Sequence, residues 1–286
     1  MGVSTDLGFQ VSSRKGVQIK VSHGDNDLTA MLACYRQHKS VGPSQAPQVL
    51  SHTPSCVAVP EATVLRGSWT ANHYSAARFV AVASAGANTG LDLVPLTSLV
   101  EFCSDGRRPE AWRKGWAFIS VLHILGEGFV DIGGALSYAP KTPGVPTAPG
   151  ELLLSRINPR IPRVCVVPDL GIKTLCSSEF EVMRTIGLHL DVYAVAYLLQ
   201  TEVVQSQIRS LTSGTSASHN RIRTSDLAEV MVPVPQAGTR KALAFDAVVR
   251  QYTSALQFLS TSAATLAAIR SKDVELFSRT RGPAGR

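Results

Sequence analysis

The chain of 286 residues lacks the short motifs that identify the common catalytic and nucleotide-binding sites. It has no glycine-rich phosphate loop ending in Gly-Lys-Ser/Thr, no Gly-x-Gly-x-x-Gly after a strand, and no Gly-x-Ser-x-Gly elbow. Its Asp and Glu residues are scattered and form no pair suited to acid–base catalysis or Mg²⁺ binding. We therefore expect a protein without catalytic activity. The weaker alternative is an enzyme of unrecognised type, such as a nuclease that uses the scattered carboxylates.

Patterns typical of metal sites and membrane spans are also missing. The five cysteines are widely spread with no Cys-x-x-Cys pair, and the seven histidines show no metal-ligand spacing. This favours free thiols in a reducing compartment. The N-terminal stretch has no apolar core of the kind a secretion signal needs, and no apolar run reaches roughly 18 residues. We expect a soluble, cytoplasmic protein with no metal or cofactor in this chain and no membrane partner.

The charge balance indicates the class of partner. Only 17% of the residues are charged, but 28 are Lys or Arg against 21 Asp or Glu, which gives a net charge of +7. A positive surplus favours an anionic partner, of which nucleic acid is the commonest.

The hydrophobic pattern and the composition change along the chain, and together they predict an α+β fold. Residues 1–66 form a small N-terminal α/β module of unknown role, with a hairpin in FQVSSRKGVQIKVS and a capped helix in DNDLTAMLACYRQHK. Residues 67–237 form a mixed, many-stranded domain. Its strands are predicted in WAFISVLHI, GELLLSRI, RVCVVP, SSEFEVMRT and EVMVPVP, with a turn and short strand in GEGFVDIGG and one helix in DVYAVAYLLQTEVVQSQIRSL.

A long helix is predicted over residues 238–279, because residues 239–277 contain neither glycine nor proline. Its apolar residues step by four and three, as in a coiled-coil seam of about three heptads. Such a helix either packs on its own domain or pairs with another helix. The seam consists of Phe245, Val249, Tyr252, Leu256, Leu259, Ala263 and Leu266. Residues 280–286 are expected to form a basic, disordered tail.

Five blocks between Gly150 and Pro235 follow one another in a recognisable order and spacing. They are GELLLSRINPRIPRVCVVPD, CSSEFEVMR, YAVAYLLQTEVVQSQI, the loop GTSASHNRIR and the strand EVMVPVP. Together they strongly resemble the target recognition domain of the specificity (S) subunits of type I restriction–modification enzymes. Glu151 and Gln236 match residues typical of that family, whereas Trp69 and Thr70 stand where an Arg-x-Asp is common.

The resemblance implies a function and a set of partners. The chain would be a non-catalytic subunit that recognises a double-stranded DNA sequence and directs a DNA methyltransferase to it, in a restriction–modification or phage-defence system. The methyltransferase would supply the S-adenosylmethionine chemistry, and a restriction subunit is a further candidate partner.

Standard S subunits have two recognition domains and two helices. This chain has one of each and so resembles a half-subunit. It would dimerise through its helix, pair with a different half, or serve one methyltransferase at a single contiguous site. The alternative is a scaffold or adaptor that keeps the fold and acts through protein–protein contacts.

A protein that recognises a DNA sequence needs hydrogen-bond donors at base edges and cations at phosphates. Candidate side chains of both kinds cluster in predicted loops. They are Arg107, Arg108, Arg113, Lys114, Arg156, Arg160, Arg163, Ser216, His219, Asn220, Arg221 and Arg223. Of these, Arg221 suits guanine and Asn220 suits adenine, because each can make two hydrogen bonds to that base. Arg156 stands at the family's Ser-Arg position, where a structural role is the alternative.

Overall fold

The computed structural model describes residues 2–3, 9–11, 18–20, 28–41, 47–52, 55–66, 71–159, 161–187, 190–213 and 220–278. The strands are β1 (Gly2–Val3), β2 (Phe9–Val11), β3 (Gln18–Lys20), β4 (Gln48–His52), β5 (Ser55–Ala58), β6 (Leu91–Pro95), β7 (Val100–Phe102), β8 (Ala117–Ile119), β9 (Val145–Thr147), β10 (Leu152–Ser155), β11 (Val164–Val166), β12 (Thr174–Cys176), β13 (Phe180–Thr185) and β14 (Met231–Pro235). The helices are α1 (Leu28–Val41), α2 (Glu61–Arg66), α3 (Ala76–Gly86), α4 (Ile132–Ser137), α5 (Val192–Leu199), α6 (Glu202–Leu211), α7 (Thr224–Leu227) and α8 (Arg240–Ser278). The α+β class and the long C-terminal helix are confirmed.

The central domain is built on a four-stranded antiparallel sheet in the order β11-β10-β13-β7. A second sheet, β8-β12-β9, pairs β12 with β8 in parallel and with β9 antiparallel. Strand β14 pairs with β6 and leads directly to α8. Ser155 at the end of β10 pairs with Phe180 at the start of β13, and Ile157 just beyond β10 forms an antiparallel bridge with Arg221 in the chain before β14.

Strand β10 is buried on both faces, which explains its unbroken run of leucines. Leu152 and Leu154 belong to the larger apolar cluster, whose other members include residues of α5 and α6. Leu153 belongs to a second cluster with Cys165 and Val182. A strand covered on both sides carries apolar residues on both faces. Such a strand is therefore predicted from a continuous apolar run and not from an alternation of apolar and polar residues.

Most predicted strands are confirmed. The hairpin predicted near the N-terminus corresponds to β2 and β3, which pair antiparallel. The predicted strands in GELLLSRI, RVCVVP, SSEFEVMRT and EVMVPVP correspond to β10, β11, β13 and β14. The sequence missed β12, whose three residues directly precede the predicted strand in SSEFEVMRT, and α3, whose first turn is capped by Ser75.

Two predicted elements differ in the structure. The single helix predicted over residues 191–211 is two helices, because Gln200 ends α5 and Thr201 begins α6. The Thr201 hydroxyl donates to the Leu198 carbonyl at 2.6 Å, and the Thr201 carbonyl accepts from Gln205 N at 2.9 Å. The turn predicted in GEGFVDIGG is a 3₁₀ turn at residues 126–128, and the short strand predicted after it is a single antiparallel bridge of Val130 with Ile124. The helix α4 then follows, with Asp131 accepting from Gly134 N at its start.

The N-terminal region contacts the central domain through β4 and β5. Strands β1, β5 and β4 form one antiparallel sheet, and the Ser55 hydroxyl accepts from Ala76 N at the start of α3. The boundary after residue 66 stays a prediction.

The long helix α8 packs on its own domain through the first part of the predicted seam. Val249 and Leu256 are buried, and Phe245 and Tyr252 pack against the larger apolar cluster beside Tyr197. The Tyr252 hydroxyl donates to the Glu127 carbonyl at 3.0 Å and accepts from the Gln200 amide at 2.7 Å.

The second part of the seam is different. Leu259 and Leu266 are 43% and 57% exposed. Ala263 is half-buried, and it lines an open cleft between α8 and α4 together with Leu266. The alternative of packing on the same domain therefore describes the first half of the seam fully and the second half only in part. Among the helices described, α8 included, none has the length and apolarity to cross a membrane.

Candidate nucleic-acid interface

Three of the candidate arginines line one open cleft of about 590 Å³. We call it the arginine cleft, and its lining residues are Arg156, Ser178, Glu179, Arg221, Ile222, Arg223, Thr224 and Ser225. This set combines three guanidinium groups with three hydroxyl side chains. The cleft has the size of a small-ligand site, but its lining is polar and charged where such sites are mostly apolar.

Backbone hydrogen bonds hold the three segments of the cleft together. Arg156 N donates to the Glu179 carbonyl at 2.8 Å, and Ile222 N donates to the Arg156 carbonyl at 3.0 Å. Asn158 N donates to the Asn220 carbonyl at 2.9 Å. Residues 220–223 therefore run beside the end of β10 as an extended segment, and their side chains point alternately into the domain and towards solvent. Ile222 is buried in the larger apolar cluster, so Arg221 and Arg223 face outward.

Arg156 is anchored at the base of the cleft. Its Nη2 donates to the Ser178 carbonyl at 2.7 Å, and its Nη1 lies 3.6 Å from a carboxylate oxygen of Glu181. Glu181 is fully buried and accepts from the Thr224 hydroxyl at 2.6 Å. Its Oε1 has no hydrogen-bond partner among the described residues. Arg156 therefore neutralises a buried carboxylate, which supports the structural alternative for this residue.

Arg221 and Arg223 are the exposed cations of the cleft, with 59% and 69% of their side chains accessible. Arg221 Nη2 donates to Glu179 Oε1 at 2.6 Å, and Arg223 Nε donates to Asp226 Oδ2 at 3.0 Å. A guanidinium has five donors. One carboxylate partner therefore leaves donors for a second acceptor, such as guanine or a phosphate oxygen.

Arg107 lies outside the arginine cleft and is part of a buried ion pair. Its Nη1 donates to Glu151 Oε2 at 2.7 Å and to the Pro146 carbonyl at 2.6 Å, and its Nη2 bonds the other oxygen of Glu151. Burial alone would raise the pKa of Glu151. Hydrogen bonds from Arg107, Ala148 N and Thr147 outweigh it and hold the pKa below its ordinary value. With these donors used inside the protein, a structural role for Arg107 fits the contacts better than DNA binding.

The remaining candidates fall into two groups. Arg108, Arg113 and Lys114 are exposed on the loop before β8, and the Arg113 guanidinium lies 5.4 Å from the ring centre of Trp116. Arg163 and Asn220 are half-buried. Arg160, Ser216 and His219 lie outside the described residues.

The sequence did not single out four polar residues of the cleft: Ser178, Glu179, Thr224 and Ser225. Ser178 and Glu179 belong to the block CSSEFEVMR, and Thr224 and Ser225 directly follow the block GTSASHNRIR. A signal was therefore present, because the cleft forms where those blocks meet.

One group among the described residues has ligand atoms close enough together to suit a metal ion: His73, Asp226 and Glu229, within 4.8 Å of one another. Glu229 accepts from Arg78 Nη2 and lies against His73 Nε2, each at 3.1 Å, while Asp226 is bonded by Arg223. Burial, then the nearby Arg78 charge, lowers the pKa of His73. Because two arginines already neutralise the carboxylates, the group is better described as an ion-pair network. The sequence could not show it, because His73 is distant along the chain.

No protein-family model matches the chain, and no curated protein sequence matches it. Eleven chains of solved structures are similar to part of it, among them the following three. One comes from work on complex assembly and conformational transition of the type I restriction–modification system, at 17% identity over 67% of this chain and 48% of that chain, with a TM-score of 0.38.

The second is the S subunit of a type I restriction–modification system from M. genitalium, at 16% identity over 58% of this chain and 39% of that chain, with a TM-score of 0.37. The third is the HsdS subunit from Thermoanaerobacter tengcongensis, at 18% identity over 68% of this chain and 49% of that chain, with a TM-score of 0.36. The chain spans less than half the length of each.

Proposed function

We propose that this chain recognises a double-stranded DNA sequence and directs a partner DNA methyltransferase to it, as a non-catalytic specificity subunit of a restriction–modification or phage-defence system. The observation that carries the proposal is the arginine cleft, which forms where the resemblance blocks meet. Arg221 and Arg223 supply exposed donors there, and Ser178 and Ser225 supply hydroxyls, whereas the Thr224 hydroxyl already donates to Glu181. Guanidinium and hydroxyl groups are donors to base edges and phosphates.

The partner would supply the chemistry. The methyltransferase would bind S-adenosylmethionine, and a restriction subunit would cleave DNA in systems that contain one. This chain would contribute the docking surface of α8, whose residues beyond Leu256 expose large apolar side chains. Phe258, Leu259, Leu266 and Ile269 are between 43% and 72% exposed. A second copy or a different half-subunit would cover this face.

The proposal is tested by selecting duplexes from a randomised pool with the purified chain, at salt high enough to suppress binding through phosphates alone. Replacing Arg221→Gln should weaken binding to the selected duplex by about tenfold to a hundredfold, because one good base contact is worth about 1–3 kcal/mol. Arg209→Gln is the matched control. Arg209 is an exposed arginine paired with Glu202 on α6, and it does not line the cleft.

Two outcomes would contradict the proposal. One is a wild-type chain that binds random duplexes as tightly as any selected sequence. The other is an equal loss of affinity in Arg209→Gln and Arg221→Gln, which would indicate an effect of net charge.

A scaffold that acts through protein–protein contacts is the second candidate, favoured by the exposed apolar face of α8. It predicts a stable protein partner whose binding is unchanged by Arg221→Gln and Arg223→Gln. Because a specificity subunit would also keep its protein partners in these variants, the two functions are separated by duplex selection: a scaffold should enrich no sequence from the randomised pool while its partner still co-purifies with every variant.

A further inference from the structure

Every arginine of the arginine cleft has a carboxylate partner in the same neighbourhood. The pairs are Arg156 with Glu181, Arg221 with Glu179, and Arg223 with Asp226. A cleft whose exposed cations are each paired with an acidic group presents less positive charge to DNA than its arginine content suggests. The carboxylates therefore compete with phosphate for the same donors.

The three carboxylates differ in what else they do. Glu181 is fully buried and bonds Thr224. Asp226 is buried and accepts from Arg223 N at the start of α7. Glu179 has 30% of its side chain accessible, and its carboxylate bonds the exposed Arg221. It is the member of the three whose charge can be removed without unpairing a buried group or a helix cap.

Phosphate and base edges place different demands on Arg221. A phosphate is a full negative charge, and bringing it to Arg221 also brings it towards the Glu179 carboxylate, which repels it. A guanine edge offers neutral acceptors, so an arginine can bond it while a carboxylate holds the other side of the guanidinium. A carboxylate at this position thus penalises sequence-independent contacts more than sequence-specific ones. It also fixes the arginine in one orientation before DNA arrives.

We infer that Glu179 is a specificity-determining residue of the cleft, which restrains Arg221 from phosphate contacts and directs it to a base edge. The inference rests on the proposed function and deepens it. Discrimination between partners commonly depends on a repulsive element as well as an attractive one, and Glu179 is that element here.

The test is Glu179→Gln in the full-length chain, with a selected duplex and a randomised duplex pool as probes. Affinity for the random pool should rise about fivefold, since an exposed ion pair of up to ~1 kcal/mol no longer competes. The logarithm of the binding constant should fall more steeply with the logarithm of salt concentration, by about one unit of slope, because one more phosphate is contacted. The ratio of selected to random affinity should fall.

Glu202→Gln is the matched control, since Glu202 is an exposed glutamate paired with Arg209 outside the cleft, and its loss changes the net charge equally. Equal gains in the two variants would overturn the inference, because net charge alone would then explain them. A loss of affinity for the selected duplex with no gain for the random pool would also overturn it, since Glu179 would then be a direct base contact.

A double-mutant cycle links the effect to its arginine. In an Arg221→Gln background, Glu179→Gln should no longer raise affinity for the random pool. An undiminished gain would show that Glu179 acts without Arg221 and would overturn the inference. If the wild-type chain selects no sequence, the proposed function fails separately. The random-pool measurements still decide whether Glu179 restrains Arg221.

Discussion

At the scale of single residues, Glu151 is the carboxylate whose removal we expect to cost most stability. Only 5% of its side chain is accessible, and it is bonded by Arg107, Arg184, Thr147 and Ala148 N. Glu151→Gln leaves the largely buried Arg107 without its countercharge. We expect the free energy of unfolding in urea to fall by about 2–4 kcal/mol, near the range for breaking a buried ion pair.

The control for this change is Glu101→Gln. Glu101 lies 3.9 Å from the same Arg184, but 60% of its side chain is accessible. Its replacement should cost less than about 0.5 kcal/mol. Equal costs in the two variants would contradict a special role for the Glu151 network.

Glu151 also makes the free energy of unfolding depend on pH in the acid range. The folded state holds the pKa of Glu151 below its ordinary value of 4.5. The stabilisation is therefore present above that value and is lost as the pH falls through the lower folded pKa. Glu151→Gln should remove this contribution and flatten the acid side of the stability curve. An unchanged acid side would show that other carboxylates determine it.

The sequence predicts which residue types matter at this scale but not their partners. Arg107 and Arg108 are adjacent and look equivalent in the sequence. Arg107 pairs with Glu151, 44 residues away, while Arg108 is exposed. Likewise Glu179 was not singled out, because its significance depends on Arg221, 42 residues further along the chain. Pairing across such separations is decided by strand register, which short-range patterns do not contain.

At the scale of elements, Gly128 determines how closely α8 docks on the domain. A Cβ at Gly128 would lie 2.6 Å from the Tyr252 hydroxyl and 2.9 Å from the Val164 carbonyl, and the backbone φ is +79°. Gly128→Ala should therefore displace the helix or the turn. We expect it to lower the free energy of unfolding by about 3 kcal/mol or more, combining overpacking with backbone strain.

Gly150→Ala separates the two contributions. Gly150 has a similar φ of +82°, but a Cβ there would meet nothing within 4 Å. Its replacement should cost only the strain, about 1 kcal/mol. Thermal or urea unfolding of both variants makes the comparison. Similar costs would mean that the contact with Tyr252 contributes little to docking.

Elements were predictable where one physical rule dominated. Strand β14 alternates and β10 begins with three consecutive leucines, and both were found. The division between α5 and α6 was not, because neither glycine nor proline marks it. Thr201 makes the break by bonding the Leu198 carbonyl and starting a new helix. The short helix α4 was also missed, since two of its six residues are glycines, which have poor helix propensity.

At the scale of the whole molecule, the seam of α8 has two different environments along its length. The heptad pattern is the same from Phe245 to Leu266, so the sequence predicted one continuous contact surface. In the structure, the seam as far as Leu256 packs on the domain, while Leu259 and Leu266 are exposed. The sequence could not show where along α8 the contact with the domain ends, because that point depends on the tertiary structure of the domain. The exposed half is the part of the seam that remains for another chain.

Charge substitutions on the two halves should therefore have different effects. Leu259→Lys with Leu266→Lys places charges on accessible positions, so the unfolding free energy should change by less than about 1 kcal/mol. Self-association, or association with a second half-subunit, should be abolished, because a desolvated lysine opposes apolar packing. Leu256→Lys buries a charge against the domain and should destabilise the fold by several kcal/mol. Light scattering gives the mass of each variant, and urea unfolding gives its stability. An associated state that survives the double substitution at the same concentration would show that copies meet elsewhere, and α8 would then serve its own domain alone.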